Sequence, residues 1–460
     1  TFLLSVLIYR QSHKPGFREM AFSLKLKGRN IKHDTMESFK AITLAPFNWS
    51  MSHFLNNQIP RIHIDIKFKN FQKLAEKREQ ALKAGFINHG NDDYVPAKIR
   101  YGNQTLRAKL RIKGDEIDHL EGDKWSFRIH VKDDNHLFGM RRFSIQNSRT
   151  RNYEGEILFF EALRREGVLV PRYFFGKVTV NGKDIGLMAF EESFSKELLE
   201  FQGRRESVIM KFDESNIDFI TDNFKKARIT SFQSKKISKS EKLSSDFVLA
   251  RGLLRAFVSG TLPPSKVFDP VLMGRFIAVA DVWRSWHALL WRNMRFYYNP
   301  ITALLEPIGY DAVIPSHRSP VLPPELSPII WEMLHKDSKI RGEYKKSIEK
   351  IAKEMREIDE GITKNWMQHI SKKELSILHQ EYPLLKGVRL NHIMERAKAA
   401  LLSSQTPFQQ LAGTRKKLKL PDILLASLIN TKENAYLELT NLFSYPIEVH
   451  EIKCVSEDIK

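Results

Sequence analysis

The polar residues of this 460-residue chain contain no common catalytic signature. The sequence has no Walker A loop, no G-x-G-x-x-G loop, no G-x-S-x-G elbow and no H-E-x-x-H helix. Its 15 histidines are not spaced like metal ligands, and its single cysteine, Cys454, excludes internal disulfides and cysteine-rich metal sites. Two polar residues, Asn293 and Asp311, stand at the edges of aromatic or apolar strands, where a polar side chain needs a partner.

Residues 107–192 form an ordered series of short patterns that composition does not explain. A basic strand ends in Lys-Gly, and a lysine precedes the next strand. A Phe-Gly-Met turn, a strand ending in Asn, a helix closed by Gly and a hairpin follow. This order resembles the CotH family, which is named for spore-coat kinases and is widespread in bacteria. The residues that match are Lys113-Gly114, Lys124, Phe138-Gly139-Met140, Asn147, Gly167, Pro171-Arg172, Asn181-Gly182, Gly186-Leu187 and Glu192.

A second block, residues 280–312, is similar to the metal and catalytic segment of the same family. It has an acidic residue, a spacer, an Asn, an aromatic strand, a turn and an apolar strand that ends in Asp. Lys211, which lies between the two blocks, resembles a further family lysine. The resemblance covers about residues 55–320.

The resemblance implies an α+β, two-lobed protein-kinase-like (CotH) fold that holds ATP and Mg²⁺ (or Mn²⁺) between a sheet-rich lobe and a larger lobe. Phosphoryl transfer needs a cation on the phosphates, hard oxygen ligands for the metal and a group that orients the acceptor hydroxyl. The chain is therefore expected to transfer phosphate to Ser or Thr hydroxyls of proteins.

Carried over position by position, Asn293 and Asp311 are the implied metal ligands, with a turn-capping role as the alternative for Asp311. Lys124 is the candidate phosphate-contacting lysine, or else an exposed strand lysine. Glu156 or Glu161 could pair with a lysine, although a solvated helix position is the alternative for Glu161. The full implied set of cofactor-binding residues is Lys113, Lys124, Glu156, Glu161, Glu192 and Lys211.

The chain departs from the family pattern where the catalytic base is expected. The family commonly has an Asp shortly before the Asn, whereas this chain has Trp286-His287 and its nearest preceding acid is Asp281. Val313 replaces a second Asp. His287 can accept a proton near neutral pH but is a poor magnesium ligand. The base is therefore His287, or Asp281, or is missing, and the alternative for His287 is a packed core histidine.

The elements that must position these residues follow from the sequence pattern. Alternating residues predict a strand within 55–69, and a helix is expected over 70–85 with Gly85 at its end. A second helix is expected over 153–167. Residues 173–192 predict a hairpin, because Asn181-Gly182 is the strongest short hairpin signal.

Four regions are expected along the chain. Residues 1–54 form an N-terminal segment that could be a truncated signal or membrane anchor, and 55–330 form the CotH kinase-like domain. A charged helical appendage spans 331–410. Residues 411–460 are the start of a β-rich C-terminal domain. The predicted location is the cell envelope or the membrane, with the cytoplasm as the alternative.

The net charge of +20, with pI near 9.7, favours anionic partners. Three functions remain open: a kinase acting on protein substrates, a catalytically inactive surface or spore-coat protein that binds a nucleotide or coat and envelope proteins, and a basic protein that binds an anionic polymer. A nucleic-acid partner is not expected, because the basic residues form no recognised reader motif.

Overall fold

The computed structural model describes eleven stretches of the chain. They are residues 44–52, 59–87, 90, 93–114, 117–120, 122–213, 224–312, 314, 328–405, 424–430 and 435–441. These residues fall into two compact units. The proposed N-terminal anchor (residues 1–9) and Val313 lie outside the described residues.

Seven strands of the first unit close into a barrel with the order β1-β2-β3-β4-β5-β7-β6. All pairs are antiparallel except β1 and β6, which pair in parallel from Arg61↔Lys177 to Ile64↔Val180 and close the ring. Their bounds are β1 Arg61–Asp65, β2 Val95–Tyr101, β3 Gln104–Ile112, β4 Phe127–Val131, β5 Arg142–Asn147, β6 Tyr173–Val180 and β7 Lys183–Glu192.

Alternation of side chains creates the barrel core. In β3 and β4 every second residue is apolar and buried, and the residues between them are basic and face outward. A strand alternates sides with a period of two, so this pattern puts one set inside a closed sheet and the other on its surface. The interior is aromatic around Phe143 and Phe190, whose rings stack 5.9 Å apart.

A second, four-stranded sheet in the same unit has the order β11-β10-β8-β9 and is antiparallel throughout. Its strands are β8 Ile209–Asp213, β9 Arg228–Ser231, β10 Arg295–Asn299 and β11 Leu304–Ile308. The second unit contains, among its described residues, the antiparallel hairpin β12 Leu424–Asn430 and β13 Ala435–Asn441.

The described helices all belong to the first unit, and none of them is both long and apolar enough to cross a membrane. They are α1 (44–52), α2 Phe68–Ala84, α3 Gly155–Arg165, α4 Lys196–Phe201, α5 Ser234–Ile237, α6 Glu241–Ser259, α7 Pro270–Val282, α8 Pro328–Lys336, α9 Ser338–Asp359, α10 Trp366–Leu378 and α11 Leu390–Gln405.

Helix α7 is the central packing element of the helical part. It is apolar and largely buried, and it packs against α9. A Cβ atom on Gly274 would meet the backbone nitrogen of Tyr344 at 2.7 Å, so only glycine permits this close approach. Asp337 caps α9 by accepting hydrogen bonds from the backbone N–H groups of Lys339 and Ile340.

Several local predictions are confirmed. Helix α2 ends at Gly85 as expected, although it begins at Phe68, before the predicted start. Helix α3 lies within the predicted helix over 153–167. Strands β6 and β7 form the predicted hairpin, in which Asn181 and Gly182 both have positive φ.

The prediction of a two-lobed protein-kinase-like fold is wrong. The sheet predicted as a small lobe is a closed seven-stranded barrel, accompanied by a second sheet and helices. The parallel pairing of β1 with β6 closes the barrel, and these strands are more than 100 residues apart in the chain. Closure removes the sheet edges, and no local pattern in the sequence reports which distant strand will supply the last pair.

Candidate functional site

Asn293 and Asp311 lie beside the same histidine. Asn293 follows the 3₁₀ helix Trp286–Leu289 and precedes β10, and Asp311 comes just after β11. His287 Nδ1 lies 3.1 Å from Asn293 Nδ2, 3.4 Å from Asp311 Oδ1 and 3.1 Å from the Asp311 carbonyl oxygen. Asn293 Nδ2 also donates to the His287 carbonyl oxygen at 2.9 Å. The antiparallel pair of β10 and β11 therefore brings the two predicted metal ligands together.

Arg151 contacts the same oxygen of the Asp311 carboxylate as His287 does. Its guanidinium lies 2.5 Å from Asp311 Oδ1, and both side chains are about nine-tenths buried. Arg151 ends the 3₁₀ helix Ser148–Arg151, which begins where Asn147 accepts a hydrogen bond from the backbone of Arg149. Asp311 has φ +56°, in the left-handed region, so a strained backbone presents this carboxylate.

A second buried pair lies on the barrel side of the site. Lys113 Nζ lies 2.5 Å from Glu191 Oε2 and donates to Gln146 Oε1 at 2.6 Å. Gln146 Nε2 donates to the same glutamate oxygen at 2.8 Å. Lys113 follows β3, and the other two residues lie on β5 and β7, so neighbouring barrel strands position this group.

The two pairs act on each other electrostatically. Burial lowers the pKa of Lys113 to about 8, and the positive charges of Arg151 and Arg128 lower it in the same direction. Together they outweigh the negative charge of Glu191, which raises the pKa. Burial alone would raise the pKa of Asp311, but Arg151, His287 and Lys113 lower it well below its usual range. Lys113, Arg151 and Asp311 therefore belong to one charged cluster. We call these three residues, together with Glu191, His287 and Asn293, the Asp311 cluster.

Glu156 is a fully buried acid that the charges of the Asp311 cluster affect. Its Oε2 accepts a hydrogen bond from the Ala312 backbone at 3.1 Å, and its Oε1 has no hydrogen-bond partner among the described residues. Burial raises its pKa well above the usual value, and the charges of Asp311 and Glu191 raise it further. The charge of Arg151 acts in the opposite direction, but the net shift favours the neutral carboxylic acid, which carries no negative charge into the cluster.

His287 is the most exposed residue of the Asp311 cluster, since 36% of its side chain is accessible to solvent. Burial acts to lower its pKa, but the hydrogen bond and charge of Asp311 outweigh burial and the pKa is raised. In the tautomer whose Nδ1–H donates to the Asp311 carbonyl oxygen, the lone pair lies on Nε2, which has Asn293 Nδ2 at 3.4 Å. Nε2 can accept a proton from a hydroxyl group that approaches from solvent.

Two of the other predicted residues, Lys124 and Asp281, have different partners. Lys124 is fully buried, donates to the Leu187 carbonyl oxygen and to the Tyr382 hydroxyl, and forms an ion pair with Glu381. Asp281 accepts a hydrogen bond from the Tyr344 hydroxyl at 2.8 Å, between α7 and α9. Neither Lys124 nor Asp281 contacts Asn293 or Asp311 through these bonds.

The remaining candidates have ionic partners outside the Asp311 cluster. Glu161 is on the outer face of α3, where it pairs with Arg164. Glu192 is buried against Arg172. Lys211, on β8, has Asp213 at 3.8 Å.

Sequence reasoning missed Arg151, Glu191 and Gln146. A usable signal existed for Glu191, because two consecutive residues of a strand point to opposite faces and only one of Glu191 and Glu192 can reach the lysine after β3. The resemblance pointed to Glu192, the residue on the other face. Arg151 gave no signal, since its role depends on a contact with Asp311 that is 160 residues away.

The side chains around Asn293 and Asp311 offer few ligands for a metal ion. No group of three or more His, Cys, Asp or Glu side chains in the described ranges is placed to hold one. A magnesium site needs fewer protein ligands, because Mg²⁺ keeps bound water molecules and also takes oxygen ligands from phosphates. A carboxylate and an amide at Asp311 and Asn293 fit this chemistry, and Asp311 Oδ1 is buried without a hydrogen bond of good geometry. Arg151 now neutralises that carboxylate.

No protein-family model and no curated protein matches the chain. The resemblance to the CotH family therefore stays a prediction from the sequence.

Proposed function

We propose that the chain is a phosphotransferase that binds ATP with a divalent metal ion and transfers phosphate to Ser or Thr hydroxyls of proteins. One observation carries the proposal: Asn293 and Asp311 meet at His287, and the Lys113–Glu191 pair acts on the same cluster. These are the kinds of group that phosphoryl transfer requires, namely an ammonium, hard oxygen ligands and a proton acceptor.

Each residue has a role in this proposal. Lys113, held by Glu191 and Gln146, binds phosphate oxygens. Asp311 and Asn293 would hold Mg²⁺, which supplies positive charge to the phosphates when it is bound. Nε2 of His287 takes the proton of the acceptor hydroxyl. The acceptor oxygen forms a bond to the γ-phosphorus as the bond to ADP breaks.

The test is a phosphate-transfer assay with γ-labelled ATP, Mg²⁺ or Mn²⁺, and a library of Ser/Thr peptides. Asp311→Asn and Lys113→Met are expected to lower the rate at least 100-fold. Glu161→Gln, which changes an acid on the outer face of α3, serves as the matched control and should retain the wild-type rate. Wild-type protein that labels neither itself nor any peptide with either metal would overturn the proposal.

A second candidate is a catalytically inactive protein that binds a nucleotide or other phosphate compound. It is favoured by Arg151, which already provides the Asp311 carboxylate with a positive charge at 2.5 Å. This candidate predicts an ATP-dependent rise in melting temperature that is the same with and without Mg²⁺, and no transfer. A rise that requires Mg²⁺ would favour the phosphotransferase.

A further inference from the structure

The outward face of β3, β4 and β5 carries a strip of basic residues, which we call the basic strip. It is defined by Lys109 and Arg111 on β3, Arg128 on β4 and Arg142 on β5, and Arg107 and Lys132 lie at its outer end. The four defining residues are half-buried, while their neighbours in sequence fill the barrel interior. The alternation of the strands therefore gathers these cations on one surface.

Strand register places Arg111 directly opposite Arg128 and puts Lys109 and Arg142 on either side of His130. Lys109 pairs with His130 and His130 with Arg142, which forms one row across three strands. The next row joins Arg111 to Arg128, and Arg128 pairs with Ser144. Like charges in opposed positions of a sheet are destabilising, so this arrangement costs stability unless an anion binds to it.

The basic strip extends to the Asp311 cluster. Ser144, the last residue of the second row, pairs with Glu191 on β7, and Glu191 holds Lys113. The charge of Arg128 also lowers the pKa of Lys113, in addition to the larger effect of burial. The strip and the cluster are therefore neighbouring parts of one barrel face.

The titratable groups in and around the basic strip respond to its positive charge. Burial lowers the pKa of Lys109, and Lys132, Arg142 and Lys235 lower it further. His130 has its pKa lowered to about 4 by burial and by the adjacent cations, so it is neutral at pH 7. Acids lie at the border: Asp133 pairs with Arg107, and the charge of Glu197 acts on Arg142.

Two features of the basic strip favour an extended peptide over a nucleic acid. Rows two residues apart along a strand are about 6.7 Å apart, which equals the spacing of alternate side chains in an extended peptide. Proteins that bind single-stranded nucleic acids add aromatic rings on which bases stack. Here the ring of Tyr94 is covered by Lys109 Nζ at 4.7 Å and by the Arg111 guanidinium at 5.6 Å.

We propose that the basic strip binds an extended acidic peptide segment, and that this segment belongs to the protein whose hydroxyl enters the Asp311 cluster. The role as an acceptor site rests on the proposed phosphotransferase function, whereas the binding of the peptide does not. The strip thus assigns the acceptor class: a Ser or Thr flanked by a run of Asp or Glu residues.

Binding is tested on the full chain without nucleotide, by fluorescence anisotropy of labelled octaglutamate. Lys109→Gln/Arg142→Gln is expected to weaken binding at least tenfold. The matched control Lys346→Gln/Lys353→Gln removes two cations from the exposed face of α9 and should change the Kd less than twofold. Equal weakening in both double variants would show unspecific charge attraction and overturn the proposal.

Two further measurements complete the test. Lys132→Gln changes an exposed residue at the outer end of the strip, so it tests the strip even if the double variant does not fold, and a twofold or larger weakening is expected. Octathymidylate is expected to displace the peptide only at a tenfold higher concentration than unlabelled octaglutamate. Displacement at a lower concentration would make the strip a nucleic-acid site and overturn the inference.

Failure of this inference can be told from failure of the proposed function. Binding of octaglutamate at the basic strip without any phosphate transfer would support the peptide-binding proposal and contradict the phosphotransferase proposal. Phosphate transfer to acidic and neutral peptides at equal kcat/KM would support the phosphotransferase proposal. It would contradict the inference that the acceptor hydroxyl is flanked by acidic residues.

Discussion

The guanidinium of Arg151 lies 2.5 Å from the carboxylate of Asp311, in a region where both side chains are about nine-tenths buried. The carboxylate has His287 as its second neighbour, at 3.4 Å from Nδ1. This pair joins the 3₁₀ helix after the barrel strand β5 to the end of β11 in the second sheet. It is thus both a structural link and the centre of the candidate site.

Removal of Asp311 should therefore destabilise the protein. Asp311→Ala leaves the Arg151 charge buried without its partner, and we expect a loss of about 3–5 kcal/mol in the free energy of unfolding measured with urea. Asp133→Ala breaks the exposed pair with Arg107 and is the control, since exposed pairs contribute little. Equal losses in the two variants would mean that the Arg151–Asp311 pair is solvated.

Nucleotide binding should weaken in alkaline solution. The pKa of Lys113 is lowered to about 8, so its ammonium loses its proton as pH rises through about 8, well below the usual lysine range. If Lys113 binds phosphate, the affinity for ATP should fall roughly tenfold for each pH unit above that value. Calorimetric titration between pH 7 and 9.5 measures this dependence, and a flat profile would remove Lys113 from the binding site.

Glu154 should make stability depend on pH in the opposite direction to a usual carboxylate. Burial raises its pKa to about 7, although its Oε1 accepts a hydrogen bond from the Val388 backbone at 2.7 Å. A raised carboxyl pKa in the folded state gives stability that is present below pH 4.5 and is lost as pH rises through 7.

The matched variant is Glu154→Gln, which keeps the acceptor oxygen and removes the titration. Between pH 5 and pH 8 the wild type should lose up to about 3 kcal/mol more than the variant in the free energy of unfolding. Urea unfolding at the two pH values provides the comparison. Identical pH dependence in the two proteins would show that Glu154 is ionised throughout.

Gly186 is predicted to be necessary for the contact between the barrel and the segment after α10. It has φ +81°, and a Cβ atom would lie 2.3 Å from Glu381 Oε2, which accepts a hydrogen bond from the Leu187 backbone at 2.6 Å. Gly186→Ala should therefore cost at least about 2 kcal/mol more than Gly182→Ala, which has the same φ strain but open space around it.

Thermal or urea unfolding of the two alanine variants separates crowding from backbone strain. The pair shares a φ near +80°, so the difference between them reports the Glu381 contact alone. A smaller loss for Gly186→Ala than for Gly182→Ala would mean that Glu381 moves aside without cost.

The sequence was most informative where structure is local. Gly85 ends a helix and Asn181-Gly182 makes a hairpin turn because both depend on backbone conformations of a few residues. Asn293 and Asp311 were found because a polar residue at the edge of an apolar strand needs a partner, and the structure supplies one in His287.

Long-range contacts account for the predictions that differ from the structure. The barrel depends on a parallel pair between β1 and β6, and Lys124 depends on Glu381, more than 250 residues later. Neither leaves a trace in local periodicity. The choice of Lys124 as the phosphate-contacting residue followed the resemblance, whereas Lys113 acts on the Asp311 cluster and Lys124 is paired with Glu381.

The most direct measurement is a calorimetric titration of the full chain with a non-hydrolysable ATP analogue, with and without Mg²⁺. We expect Mg²⁺-dependent binding to the wild type, at least tenfold weaker binding to Lys113→Met and to Asp311→Asn, and wild-type binding to folded Lys124→Met. Binding that is lost in Lys124→Met but retained in Lys113→Met and Asp311→Asn would contradict the assignment of the nucleotide to the Asp311 cluster.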